Sequence, residues 1–259
     1  MTTTGNGIFS IRVPNWRDSR AKSNHDIPCL WWSACGSVRL LTSTVATVHD
    51  NSVHGEDRYV VRALGVTAIL DAIMDGVTGR GGAQASQWVA DALAATALTS
   101  AADVRAVLDD VNRRLYEVGR GRFLLTTVAA ALYLDDWLSV LGAGDSAVYL
   151  VRPTSCRCLS SAGRGLLLGA SAQLVHLSRA KERIEPGDRL VLATDGITDN
   201  IASCELAEIV RSTATPDKAA AQLSAMIASR QAQGLGPGPV RTSFRGDDRT
   251  AIIRFFGND

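Results

Sequence analysis

Val, Leu and Thr crowd residues 38–48, and the run suits an extended strand. Two more such runs follow at 59–64 and 66–74, separated by Gly65, and the second stops at Asp75-Gly76, a turn dipeptide. The period then changes. Ala85, Trp88, Val89, Ala92, Leu93 and Thr96 recur at three-to-four spacing, as do Val104, Val107, Leu108, Val111, Leu115 and Val118, which predicts a pair of helices closed by Gly119 and Gly121. Strand-like runs return at 126–134, 137–141, 146–151 and 189–194, the last introduced by the turn Glu185-Pro186-Gly187-Asp188. Helices are expected over 205–211 and 217–230, a Gly/Pro loop over 234–239, and a closing strand over 250–256.

Strands joined by short turns imply antiparallel sheets, and helices arriving in pairs imply layers outside those sheets. Residues 1–36 lack any period, so the expected organisation is an irregular N-terminal arm followed by one domain over 37–259. The pair Trp31-Trp32 is expected to tuck that arm onto the body. The class is α+β.

Composition changes this picture little. Apolar residues make up 46% of the chain and charged residues 20%, as in ordinary globular proteins. A net charge of +1 gives no overall field for nucleic acid or an anionic membrane. No run of about 18 apolar residues suggests a membrane span, and the N-terminus lacks a signal-peptide layout. Cys29, Cys35, Cys156, Cys158 and Cys204 are odd in number and scattered, which reads as reduced thiols in a cytoplasmic protein. Cys156-Arg157-Cys158 has no second pair at zinc spacing.

The aspartates carry the chemistry. Asp75, Asp145 and Asp195 each terminate an apolar run, with Gly76 and Gly196 following the first and last. Glu56-Asp57 opens an early strand and Asp247-Asp248 the final one. An Asp-Gly pair alone is usually only a turn. Several strand-end carboxylates meeting at one edge would repel strongly unless cations compensate, and all-oxygen clusters suit hard ions such as Mg²⁺ and Mn²⁺.

The order Glu56-Asp57-Arg58, Met74-Asp75-Gly76-Val77-Thr78-Gly79, Thr126-Thr127, Gly144-Asp145-Ser146, Ala193-Thr194-Asp195-Gly196-Ile197-Thr198-Asp199 and Asp247-Asp248-Arg249-Thr250 resembles the PP2C (PPM) metal-dependent protein phosphatases, most of all the bacterial branch. The resemblance spans 38–256. It implies an α-β-β-α sandwich of two antiparallel sheets flanked by helix pairs, and hydrolysis of phosphoserine or phosphothreonine by a water that bridges two of two or three Mn²⁺ or Mg²⁺ ions. It implies metal ligation by Asp57, Asp75, the Gly76 carbonyl, Asp145, Asp195 and Asp247, with Asp75 bridging two ions and Asp145 sharing a third with Asp195. Asp75, Asp195 and Asp247 form the catalytic set. Glu56 and Asp57 act mainly through metal-bound waters, Asp199 orients the loop after Asp195 or caps a helix N-terminus, and Asp248 stands behind the ligands where many members have Asn. The implied partner is a phosphorylated protein, opposing a Ser/Thr kinase.

The sequence departs from that pattern at Ser52, where many members carry a phosphate-binding Arg. Arg80 is the favoured replacement, with Arg58 and Arg39 as alternatives. Val77 replaces a His proposed as general acid in eukaryotic members; His49 and His54 lie nearby in sequence. Leu125 and Ala147 replace a Gly and an Arg beside the motifs. Two other readings stay open: a non-catalytic binding or regulatory relative, and a phosphatase of a small phosphorylated metabolite.

Overall fold

The structure, a computed structural model, describes residues 41–160, 166–174, 177–237 and 243–258. The arm over 1–36, with Trp31, Trp32, Cys29 and Cys35, and also Arg39, lies outside them. The strands are β1 (Leu41–Asp50), β2 (Arg58–Ala63), β3 (Ala68–Met74), β4 (Val128–Leu134), β5 (Trp137–Ala143), β6 (Ala147–Val151), β7 (Cys156–Cys158), β8 (Ser178–Arg183), β9 (Arg189–Ala193) and β10 (Arg249–Asn258). The helices are α1 (Gly82–Ala95), α2 (Ala101–Gly119), α3 (Asp195–Thr198), α4 (Ser203–Ser212) and α5 (Pro216–Gln233).

The strands form two five-stranded antiparallel sheets, ordered β1-β10-β9-β6-β7 and β2-β3-β4-β5-β8. Between them lies a dry layer containing Ile73, Val140, Leu150, Leu190, Leu192 and Ile252. Alternate residues of the same strands face outward. Leu70, Val128 and Leu132 pack under α1 and α2, and Val191, Ala193 and Ile253 under α4 and α5. The result is a four-layer α-β-β-α sandwich, as the pattern of pairs implied.

Local chemistry fixes the helix ends. Ser100 Oγ accepts the Asp103 N–H to open α2, and Thr215 Oγ1 accepts the Lys218 N–H to open α5, where Pro216 stands at the first turn. Gly119 ends α2, but the left-handed residue after it is Arg120, at φ 54°. Gly234 ends α5 in the same conformation.

Three elements depart from the sequence reading. β8 reads Ser-Arg-Ala-Lys-Glu-Arg, so no apolar run marks it; it is a charged edge strand of the kind that resists sheet-to-sheet association. β7 is the opposite sheet's three-residue edge. Asp195, expected only to end a strand, also begins the single helical turn α3. Among the described residues, no helix is long and apolar enough to cross a membrane.

One charged pair crosses the inter-sheet layer. Arg254 of β10 meets Asp71 of β3 through two parallel hydrogen bonds of 2.6 and 2.7 Å, and both residues are buried. Arg254 Nη1 also donates to Ser43 Oγ on β1 at 2.9 Å. Removing one partner strands a charge in an apolar layer. Asp71→Ala is therefore expected to destabilise the fold by about 3–5 kcal/mol, whereas the double change Asp71→Leu with Arg254→Met costs far less. Urea titration of both variants checks the difference.

Candidate metal centre

Neighbouring strands of both sheets deliver their acids to one rim. β3 runs into Asp75, β9 into Asp195 and the β5–β6 turn into Asp145, while Asp57 leads into β2 and Asp247-Asp248 into β10. Asp75 is gripped by its backbone. Thr126 Oγ1 and the Thr127 N–H both donate to the Asp75 carbonyl at 2.8 Å, and the Asp75 N–H donates to Thr127 Oγ1 at 3.0 Å. Thr127 Oγ1 in turn meets Ser146 Oγ at 2.7 Å, tying in the turn that carries the exposed Asp145. The Thr126-Thr127 pair is thus a clamp on the central aspartate.

Two glycines let backbones close on the site. A Cβ on Gly76 would stand 2.3 Å from the Gly82 carbonyl carbon, so only glycine lets the start of α1 lie against the Asp75-Gly76 turn. A Cβ on Gly196 would fall 1.9 Å from the Asp248 carbonyl oxygen, so the α3 turn and the β10 entry also meet backbone to backbone.

The buried Asp248 carboxylate accepts N–H groups from Val53 (3.0 Å), His54 (2.9 Å) and Glu56 (2.8 Å). Burial works to raise its pKa, but these bonds, with one from Gly55, hold it below the usual value. Asp248 therefore shapes the loop that presents Glu56 and Asp57. Arg58 serves the same loop: Nη1 donates to the Gly55 and Asp57 carbonyls and Nε to Gln87 Oε1. Its guanidinium is committed to this loop rather than free for a substrate.

The acids themselves are crowded. Asp57 is 1% exposed, with Oδ2 accepting from Thr194 Oγ1 at 3.0 Å and Oδ1 buried without a partner. Asp195 Oδ1 is also buried without a partner. Burial pushes Asp75 up to about 10, helped by the charges of Asp57 and Asp195, a hydrogen bond with the Asp195 carboxyl, and Asp247. Burial pushes Asp57 up to about 7; hydrogen bonds from Thr250 and Thr194 oppose the rise, while Asp248 and Asp195 add to it. Burial lifts Asp195 to about 6, the bond from Asp75 opposes this, and Asp247, Asp145 and Asp199 add to it. Among the described residues, no three His, Cys, Asp or Glu side chains stand close enough to hold an ion as they are. Two orphaned buried carboxylate oxygens and three acids pushed toward protonation nevertheless fit a hard divalent cation, the charge that would relieve them together.

The remaining candidates fall around this core. Glu56 is half-buried and accepts from Thr78 Oγ1. Asp199 does not cap a helix N-terminus: it follows α3, and its Oδ2 accepts from Arg245 Nη1 at 2.6 Å. Arg80 is exposed and engages the segment after α2, donating to the Arg122 carbonyl at 3.4 Å and standing 6.0 Å from the Phe123 ring centre. His54 Nε2 lies 3.8 Å from Asp247 Oδ1, whereas His49 pairs with Thr250 Oγ1 and the Tyr59 ring. A cleft of about 340 Å³ opens beside the acids, lined by Asp195, Gly196, Asp199, Arg245, Gly246 and Asp247. The sequence reading did not single out Arg245; its place two residues before Asp247 was the available signal.

Residues 66–253 match the family described as Stage II sporulation protein E (SpoIIE). The chain belongs to the SpoIIE family. Among solved structures, this SpoIIE-family chain is similar to PppA, described as a key regulatory component of T6SS in Pseudomonas aeruginosa, with 24% identity, 85% of this chain and 99% of that one covered, and a TM-score of 0.66. It is also similar to the serine/threonine phosphatase Stp1 from Staphylococcus aureus (18% identity, 83% and 95% covered, TM-score 0.68). A third neighbour is the catalytic domain of the serine threonine protein phosphatase PstP in complex with two manganese ions (21%, 84% and 99%, 0.65). Among curated proteins, none matches this chain. The PP2C resemblance read from the motifs agrees with the SpoIIE assignment and with these folds.

Raised pKa values mean that Asp57, Asp75 and Asp195 of this SpoIIE-family chain hold more protons in the folded than in the unfolded state between about pH 4 and pH 10. Without metal, its stability is expected to fall as pH rises through that window. Added Mn²⁺ should raise the melting temperature by an increment that grows with pH. Thermal melts at several pH values, with and without Mn²⁺, check both signs.

Proposed function

We propose that this chain is a metal-dependent phosphatase of phosphoserine and phosphothreonine in proteins. The observation that carries the reading is the convergence of Asp57, Asp75, Asp195 and Asp247, two of them with buried unpartnered oxygens. Mn²⁺ or Mg²⁺ ions would be held by Asp57, Asp75, the Gly76 carbonyl, Asp145, Asp195 and Asp247. Two manganese ions in the PstP complex, a chain of similar fold, support this choice. Bound there, such ions supply an acidified water and neutralise phosphoryl oxygens.

The chain's own part is placement. The Thr126-Thr127 clamp fixes Asp75, and Asp248 fixes the loop carrying Glu56 and Asp57. Placement within about half an ångström is what phosphoryl transfer demands of a protein, because little covalent chemistry is left for it to do. In this reading the enzyme opposes a Ser/Thr kinase in the cytoplasm.

Ser52 and Val77, in place of an Arg and a His, favour a second reading: a regulatory relative that binds a phosphoprotein without turning it over. PppA, described as a regulatory component, is similar in fold. Turnover of p-nitrophenyl phosphate with Mn²⁺ separates enzyme from binder, and phosphopeptides against sugar phosphates separate protein from metabolite substrates.

Activity should require Mn²⁺ or Mg²⁺ and vanish in EDTA; full turnover after exhaustive chelation sinks the metal reading. Asp75→Ala and Asp195→Ala should each lower kcat/KM by about a thousandfold or more, the loss that several kcal/mol of transition-state stabilisation represents. Each should leave the metal-free melting temperature equal or higher, since one repelling charge is gone. Steady-state kinetics beside thermal melts test the pair.

A further inference from the structure

The cleft beside the acids holds one cation whose place the metal reading does not explain. Arg245 reaches it from the segment before Asp247, and the backbone of that segment is locked. Asn200, fully buried, donates through Nδ2 to the Gly196 carbonyl (3.0 Å) and the Arg245 carbonyl (2.8 Å), and its Oδ1 accepts the Arg245 N–H at 2.9 Å. The turn bearing Asp195 and the segment bearing Arg245 are therefore one unit, joined by a residue with no access to solvent.

The side chain of Arg245 does something else. It is 69% exposed, and its pairing with Asp199 engages Nη1 alone. An ion pair this open is screened by solvent and adds little to stability. Asn200 already fixes the segment, so the fold does not require the guanidinium. Among the described residues, the other arginines near the site are engaged: Arg58 with the Gly55 and Asp57 carbonyls, Arg249 with Asp50 at 2.6 Å, and Arg80 with the Arg122–Phe123 segment. Arg245 itself lines the cleft with Asp195 and Asp247, its pairing with Asp199 uses one nitrogen, and a planar fork suits a phosphate dianion.

We propose that Arg245 binds the phosphate group of the substrate, leaving Asp199 for the phosphoryl oxygens when substrate enters. The inference rests on the phosphatase reading for its substrate class, but the binding step stands apart from turnover. Asp199 is then a competitor: it holds the fork in place and lowers phosphate affinity by the cost of exchange.

Inorganic phosphate titrated calorimetrically into the Mn²⁺-loaded protein, beside kinetics on a phosphoserine peptide, tests this. Arg245→Gln should weaken phosphate binding and raise KM by about 10- to 100-fold, the worth of charge-assisted hydrogen bonds, with kcat changed by less than about threefold. Arg245→Lys should recover part of the affinity, as charge without the fork. Asp199→Asn should tighten phosphate binding. Arg113→Gln, an exposed arginine on α2 paired with Asp110, serves as the charge control and should change nothing. Unchanged phosphate affinity and KM in Arg245→Gln would overturn the proposal. So would a fall in kcat and melting temperature together at constant KM, which marks a structural residue. If the wild-type protein turns over no phosphoester yet binds phosphate in an Arg245-dependent way, the phosphatase reading fails and this inference stands.

Discussion

The burial of Asp57, Asp75 and Asp195 beside one another and beside Asp247 is the constraint around which the rest of the molecule is arranged. Burial first, and the neighbouring charges after it, push Asp57, Asp75 and Asp195 toward protonation, and among the described residues no buried cation relieves them. The chain holds them by backbone. Asp75 is gripped through its own amide and carbonyl by the Thr126-Thr127 pair, and the Asp57 loop hangs from the Asp248 carboxylate. The Asp195 turn is bound to the β10 entry by Asn200. None of these clamps uses the oxygens that face the site, so the acids stay available.

The sandwich explains why that is affordable. Two sheets with a largely apolar interior, each covered by a helix pair, leave the strand ends as a place where polar groups from five different connections reach a common rim. Charge accumulates at that rim, while stability comes from the layers behind it.

Much of this was legible in the sequence. Apolar, strand-like runs marked eight of the strands, three-to-four spacing marked the first helix pair, and aspartates at the ends of those runs marked the rim. What stayed hidden was whatever lacks an apolar signature. β8 is a charged edge: the backbone ladder pairs it with β5, Ser178 Oγ donates to the Gly142 carbonyl at 3.1 Å, and Lys181 stands over the Trp137 ring. Asn200 is a polar residue whose role is long-range, and Asp248, expected behind the ligands, has partners no local pattern reveals: it reaches back almost 200 positions to the loop at 53–56. Arg80 was favoured for standing after the Asp75 loop, but sequence adjacency does not say where a long side chain points. Arg245 was passed over because it lies before a motif rather than inside one.

The Arg254–Asp71 pair has a consequence beyond stability. Asp71 lies four positions before Asp75 on the same run of chain, and Arg254 lies six positions after Asp248 on the facing sheet. A one-residue slip of either strand would turn its charged member out of the layer and leave the other buried alone, so misregistered sandwiches are penalised before any metal arrives. The pair therefore works as a ruler laid between the sheets. It sets how far Asp75 on one sheet stands from Asp247 and Asp248 on the other, and it transmits correct strand register in the interior to correct spacing at the rim.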